Sequence, residues 1–292
     1  MFNSTVLMSG AEAFDDAQAI NAFMDSGLNV DVTEAVAEHT RLKDTLEGLG
    51  VQVVKVPAPP ELQDGVYTAN WAIVRGDKAV LSSLPPSRQG EQPYAKAALE
   101  NLGKTVYEVP QGLKFSGQGD ALPCGNYLFC GSGYRSDPEA HVFLADILGY
   151  EVISVQTVPL TDEQGKPLRN AVSGWPDSYF YDLDLALSVL KAPSETAKGL
   201  IGWCPEAFLP ESQHKLREFD GVDKIEVSLE EARDAFACNL ISTGQTVIMS
   251  ARAPRFQAEI EQRGLEVINL SMPELAKGGG FIRCTTLTLD NI

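Results

Sequence analysis

One pattern recurs along this chain and limits the folds open to it. An amphipathic stretch with helical spacing runs into a Leu-Gly type stop, and a short strand rich in β-branched residues follows. It is read at Leu42–Pro57, Tyr94–Pro110 and His141–Val155, in degenerate form at Ser212–Val227, and again at Phe256–Leu270. In the clear copies a glycine ends the helix, at Gly50, Gly103, Gly149 and Gly264. Glycine suits the left-handed conformation of a helix cap.

A second kind of strand accompanies most copies, often as a hairpin. Trp71–Ser82 turns at Arg75-Gly76-Asp77, Asp120–Gly131 at Gly125-Asn126, and Asn239–Ser250 at Thr243-Gly244. These are short-hairpin residues. The unit is therefore strand-strand-helix-strand, repeating about every 40–70 residues. One such unit cannot bury its apolar face alone, whereas five packed around an axis can. The expectation is an α/β fold of five pseudo-symmetric repeats around a central pocket, with residues 1–292 as a single domain. The alternative is an ordinary two-domain α/β protein.

Composition narrows the function classes. The 292 residues carry 40 Asp and Glu against 23 Lys and Arg, a formal charge of −17. Such a chain repels phosphate backbones, so no nucleic-acid partner is expected, and cationic ligands are favoured. No apolar run approaches the ~18 residues of a membrane span, and Met1–Gly10 lacks the features of a signal peptide, so no membrane partner and a cytoplasmic location are expected. The cysteines are Cys124, Cys130, Cys204, Cys238 and Cys284. An odd count without a C-x-x-C pair argues against a disulfide framework or a structural zinc. His39, His141 and His214 have no metal-ligand spacing around them, so no metal or other cofactor is expected. The oligomeric state stays open, a homodimer included.

Four segments carry denser motifs: Gln63–Val74 (QDGVYTANWAIV), Phe115–Asp137 (FSGQGDALPCGNYLFCGSGYRSD), Phe180–Asp184 (FYDLD) and Gly278–Leu287 (GGGFIRCTTL). Together, in this order and spacing, they resemble the pentein superfamily of guanidine-modifying enzymes. Its members include arginine deiminases, dimethylarginine dimethylaminohydrolases and amidinotransferases. The likeness spans nearly the whole chain and is strongest to bacterial amidinotransferase-like and dimethylaminohydrolase-like proteins. It implies the pentein α/β-propeller and a small cationic guanidino compound as ligand.

The resemblance also implies roles. Carboxylates grip a planar guanidinium through paired N–H bonds, and Asp64 and Asp184 match the family's two. By residue type alone Cys284 reads first as a packed cysteine; a thiolate in the family attacks the central carbon to give a thiouronium intermediate, and the motif matches Cys284 to that nucleophile. Arg135 matches an arginine that either holds a substrate carboxylate or pairs with Asp137 or another nearby acid. Asn70 and Asp120 also match motif residues, Asn70 as a substrate-binding candidate. Two positions depart from the pattern: Asp182 stands where the family has its acid/base histidine, and Ser116 where it has the partnering glutamate. Positions 182 and 184, two apart on an expected strand, should share one face. The three histidines lie outside the motifs and are expected on the surface or on helix faces. The expected activity is hydrolysis of a guanidino C–N bond through Cys284. The alternatives are a guanidino-binding protein without turnover and an amidinotransferase.

Overall fold

The computed structural model describes residues 2–24 and 29–291. Its strands form five sheets of three strands each. The second unit shows the plan: β3 (Ala72–Arg75) pairs antiparallel with β4 (Lys78–Leu81), and β4 pairs parallel with β5 (Thr105–Glu108). The crossover between β4 and β5 is a helix, Gln92–Asn101. The third unit repeats this with β6 (Ala121–Cys124), β7 (Tyr127–Ser132), helix Pro138–Leu148 and β8 (Glu151–Gln156). The fourth has β9 (Leu187–Lys191), β10 (Gly199–Trp203), helix Pro210–Glu218 and β11 (Val222–Glu226). The fifth has β12 (Ile241–Ser242), β13 (Thr246–Ser250), helix Pro254–Gln262 and β14 (Glu266–Leu270).

The first unit is assembled from both ends of the chain. Strand β1 (Thr5–Met8) pairs parallel with β2 (Gln52–Lys55) across the helix Val32–Gly48, and antiparallel with β15 (Leu287–Thr288). The repeat expected from the sequence is thus present five times, and Cys284 lies just ahead of the strand that closes the ring.

Apolar patterning explains each strand's place. The middle strands β10 and β13 are buried at every residue, as strands covered on both faces must be. Strands β2 and β5 at the sheet edges expose their polar first and last residues, which blunts the unpaired edge. The inner strands adjoin one another, β15 beside β3, β6 beside β9, and β9 beside β12. No helix among the described residues is long and apolar enough to cross a membrane.

The histidines all lie on helices, as the sequence suggested. His214 is exposed, but His39 and His141 are buried, 2% and 3% exposed. Both sit on the inward faces of their helices. His141 bonds Ser154 and the Gly131 carbonyl, which fixes it within its own unit.

Candidate functional site

Asn70, Ser116, Asp182, Asp184 and Cys284 lie just ahead of the inner strands of their units, whereas Asp64 lies ahead of the turn before β3 and Arg135 lies between β7 and the helix Pro138–Leu148. Each inner strand is preceded by a short turn, and these turns gather at one end of the ring. Thr68–Trp71 precedes β3, Gly117–Gly119 precedes β6 and Leu183–Leu185 precedes β9, each as one turn of 3-10 helix. Asn239 sits two residues before β12, and Cys284 three before β15. Five-fold repetition therefore brings together residues far apart in the chain.

Asp182 and Asp184 are not on a strand, contrary to the sequence expectation. Asp182 is the extended residue that opens the Leu183–Leu185 turn, and Asp184 lies within it. The turn separates their side chains. Asp182 Oδ1 accepts from the Ser116 hydroxyl at 2.7 Å, and its Oδ2 from Asn70 Nδ2 at 2.7 Å. Arg135 Nη1 stands 3.7 Å from Asp182 Oδ2. Asp184 turns to the thiol: Cys284 Sγ donates to its Oδ2 at 3.4 Å. Asp184 Oδ1 is buried and has no hydrogen-bond partner among the described residues.

The Asp182 network extends outward. Asn70 Nδ2 also donates to the Ser116 hydroxyl, and Asn70 Oδ1 accepts from Arg88 Nη1 at 2.8 Å. Arg88, absent from the sequence-based set, is fully buried and forks onto Glu91. Gly119 makes this packing possible, since a Cβ there would sit 2.7 Å from Asp182 Oδ2. Arg135 stacks on the Tyr181 ring with its guanidinium carbon 3.9 Å from the centroid, and its buried Nη2 has no partner among the described residues. Its acid is Asp182 and not Asp137, which instead pairs with Lys114.

Cys284 is held by a residue that motif reading missed. Asn239 Nδ2 donates to Sγ at 3.1 Å, and Asn239 Oδ1 accepts from the Cys284 backbone N–H at 3.1 Å. Placing the repeats in register would have found it, because Asn239 precedes β12 as Asn70 precedes β3. Ala69 N–H donates to the Cys284 carbonyl, which ties the thiol's loop to the second unit. The Gly278-Gly279-Gly280 run also has a steric cause: a side chain at Gly280 would strike the Tyr67 ring.

The electrostatics follow from burial of several acids together. Desolvation and the neighbouring Asp182 push Asp120 up to about 8. Desolvation raises Asp64 to about 6, with Arg88 opposing. Burial, reinforced by Asp182, holds Asp184 well above the usual carboxylate range. Burial and then Asp184 and Asp182 push the Cys284 thiol well up as well. Like charges oppose a thiolate here, where an adjacent imidazolium would favour one.

The site is closed. Cys284 is 2% exposed, and none of the five cavities characterised among the described residues is lined by Cys284, Asp64, Asp182 or Asp184. All five cysteines are free and buried. The described residues contain no His, Cys, Asp and Glu cluster suited to a metal ion.

Comparison with known proteins agrees with this architecture. Residues 11–170 match the family described as N,N dimethylarginine dimethylhydrolase, eukaryotic. The N(G),N(G)-dimethylarginine dimethylaminohydrolase of Mycobacterium tuberculosis is 32% identical over 94% of this chain and 82% of that protein. The bifunctional arginine dihydrolase/ornithine cyclodeaminase ArgZ of Synechocystis sp. is 30% identical over 97% of this chain, which spans only 37% of ArgZ's length. The N-terminal domain of ArgZ, solved as a cysteine-to-serine mutant bound to its substrate, superposes with a TM-score of 0.84 at 29% identity and covers 98% of both chains. The five-sheet ring is thus the pentein fold, and the chain belongs to the dimethylarginine dimethylaminohydrolase family.

Proposed function

We propose that this protein hydrolyses a C–N bond of an arginine-like guanidino compound at Cys284, within a single domain spanning the chain. The observation that carries the reading is the Asn239–Cys284–Asp184 constellation: a thiol held at 3.1 Å by an amide and at 3.4 Å by a carboxylate with one oxygen unpartnered. The relatives add support. ArgZ has been captured with substrate, and a variant of its N-terminal domain covalently bonded to a reaction intermediate.

In this proposal Asp64 and Asp184 hold the guanidinium, and the unpartnered Nη2 of Arg135 receives a carboxylate on the substrate's tail. The bound cation offsets the acids around Sγ and so favours thiolate. The thiolate adds to the guanidinium carbon, an amine departs, and water hydrolyses the thiouronium. Asp182 is bound by Ser116, Asn70 and Arg135, so Asp182 and Ser116 act by positioning the site. The closed geometry requires surrounding side chains to move before substrate reaches Cys284.

A second reading, guanidino binding without turnover, is favoured by one observation. The positions that resemble the family's histidine and glutamate form an Asp182–Ser116 hydrogen bond, and among the described residues no histidine hydrogen-bonds to either side chain. Transfer of the amidino group to an amine would use the same residues with a different acceptor. The test is release of citrulline, urea or free amine from a panel of arginine, methylated arginines and agmatine. Turnover abolished by Cys284→Ala supports the hydrolase. Calorimetric binding with no product supports the second reading.

A further inference from the structure

A hydrolase of this kind needs a proton taken from the thiol and a proton given to the departing amine. The chain's histidines do not supply this chemistry. His39 and His141 are buried on the inward faces of their helices, and His214 is exposed on another. Asp182 has both oxygens engaged by Ser116 and Asn70. Asp120 is likewise engaged, by the Ser136 hydroxyl and the Leu183 N–H. Asp64 makes its side-chain bond with Gln63.

Resting on the hydrolase reading above, we propose that Asp184 is the proton-transfer residue of the reaction, carrying the Cys284 proton to the leaving amine. Its Oδ2 already accepts the thiol proton at 3.4 Å, and its Oδ1 is buried without a partner. The charged and titratable groups around it are Asp182, Asp120, Cys284, Cys238, Tyr181 and Arg283. The acids among them oppose its ionisation, as does burial, while Arg283 favours it. A carboxyl group whose one oxygen touches the thiol and whose other is unpartnered is placed to take a proton from sulfur and pass it on within the site.

The proton and electron count closes. Carboxylate Asp184 takes the S–H proton as the C–S bond forms, giving a neutral tetrahedral adduct from the guanidinium. The carboxylic acid then protonates the amine nitrogen, and the C–N bond breaks with its electron pair on nitrogen. This leaves a thiouronium cation and a carboxylate. Water adds to that carbon and gives a proton to Asp184. The C–S bond breaks with its pair on sulfur, and the hydroxyl proton of the adduct passes to the thiolate. Asp184 finally releases the proton it took from water, which converts the departed amine to ammonium, so the carboxylate is regenerated and no further reactant is needed.

The experiment compares two leaving groups in the wild type and Asp184→Asn: an arginine-type guanidine, which expels an amine, and its S-methyl isothiouronium analogue, which expels methanethiol. The amine requires protonation to depart, and the thiol does not. Asp184→Asn should lower kcat on the guanidine by about 10²–10⁴ while lowering the ratio of guanidine to isothiouronium rates by at least about 10². Loss of cation binding or of thiol activation affects both substrates and cancels in the ratio. An unchanged ratio overturns the proposal and leaves the hydrolase reading intact. A wild type that binds both compounds and turns over neither overturns both. Should the variant fail to fold, the wild-type pH profile serves: the guanidine alone should show a falling alkaline limb, and identical limbs for both substrates overturn the proposal.

Discussion

The amide of Asn239 is a neutral side-chain donor on the sulfur of Cys284, beside the Phe281 backbone, so its removal tests what holds a thiolate without an imidazolium. Asn239→Ala deletes the 3.1 Å bond to Sγ and the acceptor for the Cys284 N–H. A hydrogen bond to an ionised group contributes roughly 1.5–3 kcal/mol. At 1.36 kcal/mol per pKa unit, its loss raises the thiol pKa by about 1–2 units. Alkylation by iodoacetamide at a fixed pH below that pKa should therefore slow by about 10–100-fold, since only the thiolate reacts. The assay is the alkylation rate against pH, read by mass spectrometry at Cys284, with melting curves to monitor the fold. A merely structural role has the opposite sign, because loosening the loop exposes a buried thiol and speeds its alkylation. Alkylation that is unchanged or faster in Asn239→Ala would refute the reasoning.

Other predictions follow from the same geometry. Asp64→Asn should weaken binding of guanidino compounds by about 2–5 kcal/mol if the charge pair is desolvated, as read by calorimetry. Asp182→His with Ser116→Glu should raise turnover, by up to about 10²–10⁴, by restoring an imidazole and its carboxylate; unchanged steady-state rates in a folded double variant would contradict this. The pH dependence of stability has two opposing parts. Asp64 and Asp120, raised to about 6 and about 8, retain protons that the unfolded chain releases near pH 4, so their contribution is lost as pH rises through 6 to 8. His39, lowered to about 4 by burial, acts in the other direction, and its contribution is lost as pH falls from about 6.5. The carboxyl contributions begin to fall above about pH 4 and together outweigh the single imidazole, so these groups should lower the melting temperature as pH rises from about 5 to 8, and a melting temperature that rises over that range in circular dichroism melts would count against these assignments.

The ring was legible because it repeats. Gly50, Gly103, Gly149 and Gly264 all take positive φ at helix ends, as their places after the amphipathic stretches suggested. The hairpins turn at the dipeptides that short turns require. The first unit was less legible, since β1 and β15 are about 280 residues apart and each is too short to signal its partner. At the candidate site, Cys284 and the carboxylates stood out through local motifs. Asn239 did not, because its importance lies in contact with Cys284 of another unit, and Arg88 did not, because its partners Glu91 and Asn70 meet it only once the second unit is folded. The strand expected at positions 182 and 184 failed for a local reason: Asp182 opens a 3-10 turn, and that turn sends one carboxylate to Ser116 and the other to Cys284. The histidines lie on helices as expected, and helix spacing alone did not say that the faces bearing His39 and His141 turn inward.

Covalent capture at Cys284 tests the central claim most directly. Wild-type protein mixed with a guanidino substrate that supports turnover, quenched in acid within its first turnovers and digested, should yield a Cys284 peptide heavier by the amidino group left after the amine departs. The adduct should form and decay with the kinetics of product release and be absent in Cys284→Ala. Product release without any adduct on Cys284, or turnover that survives Cys284→Ala, would contradict the account.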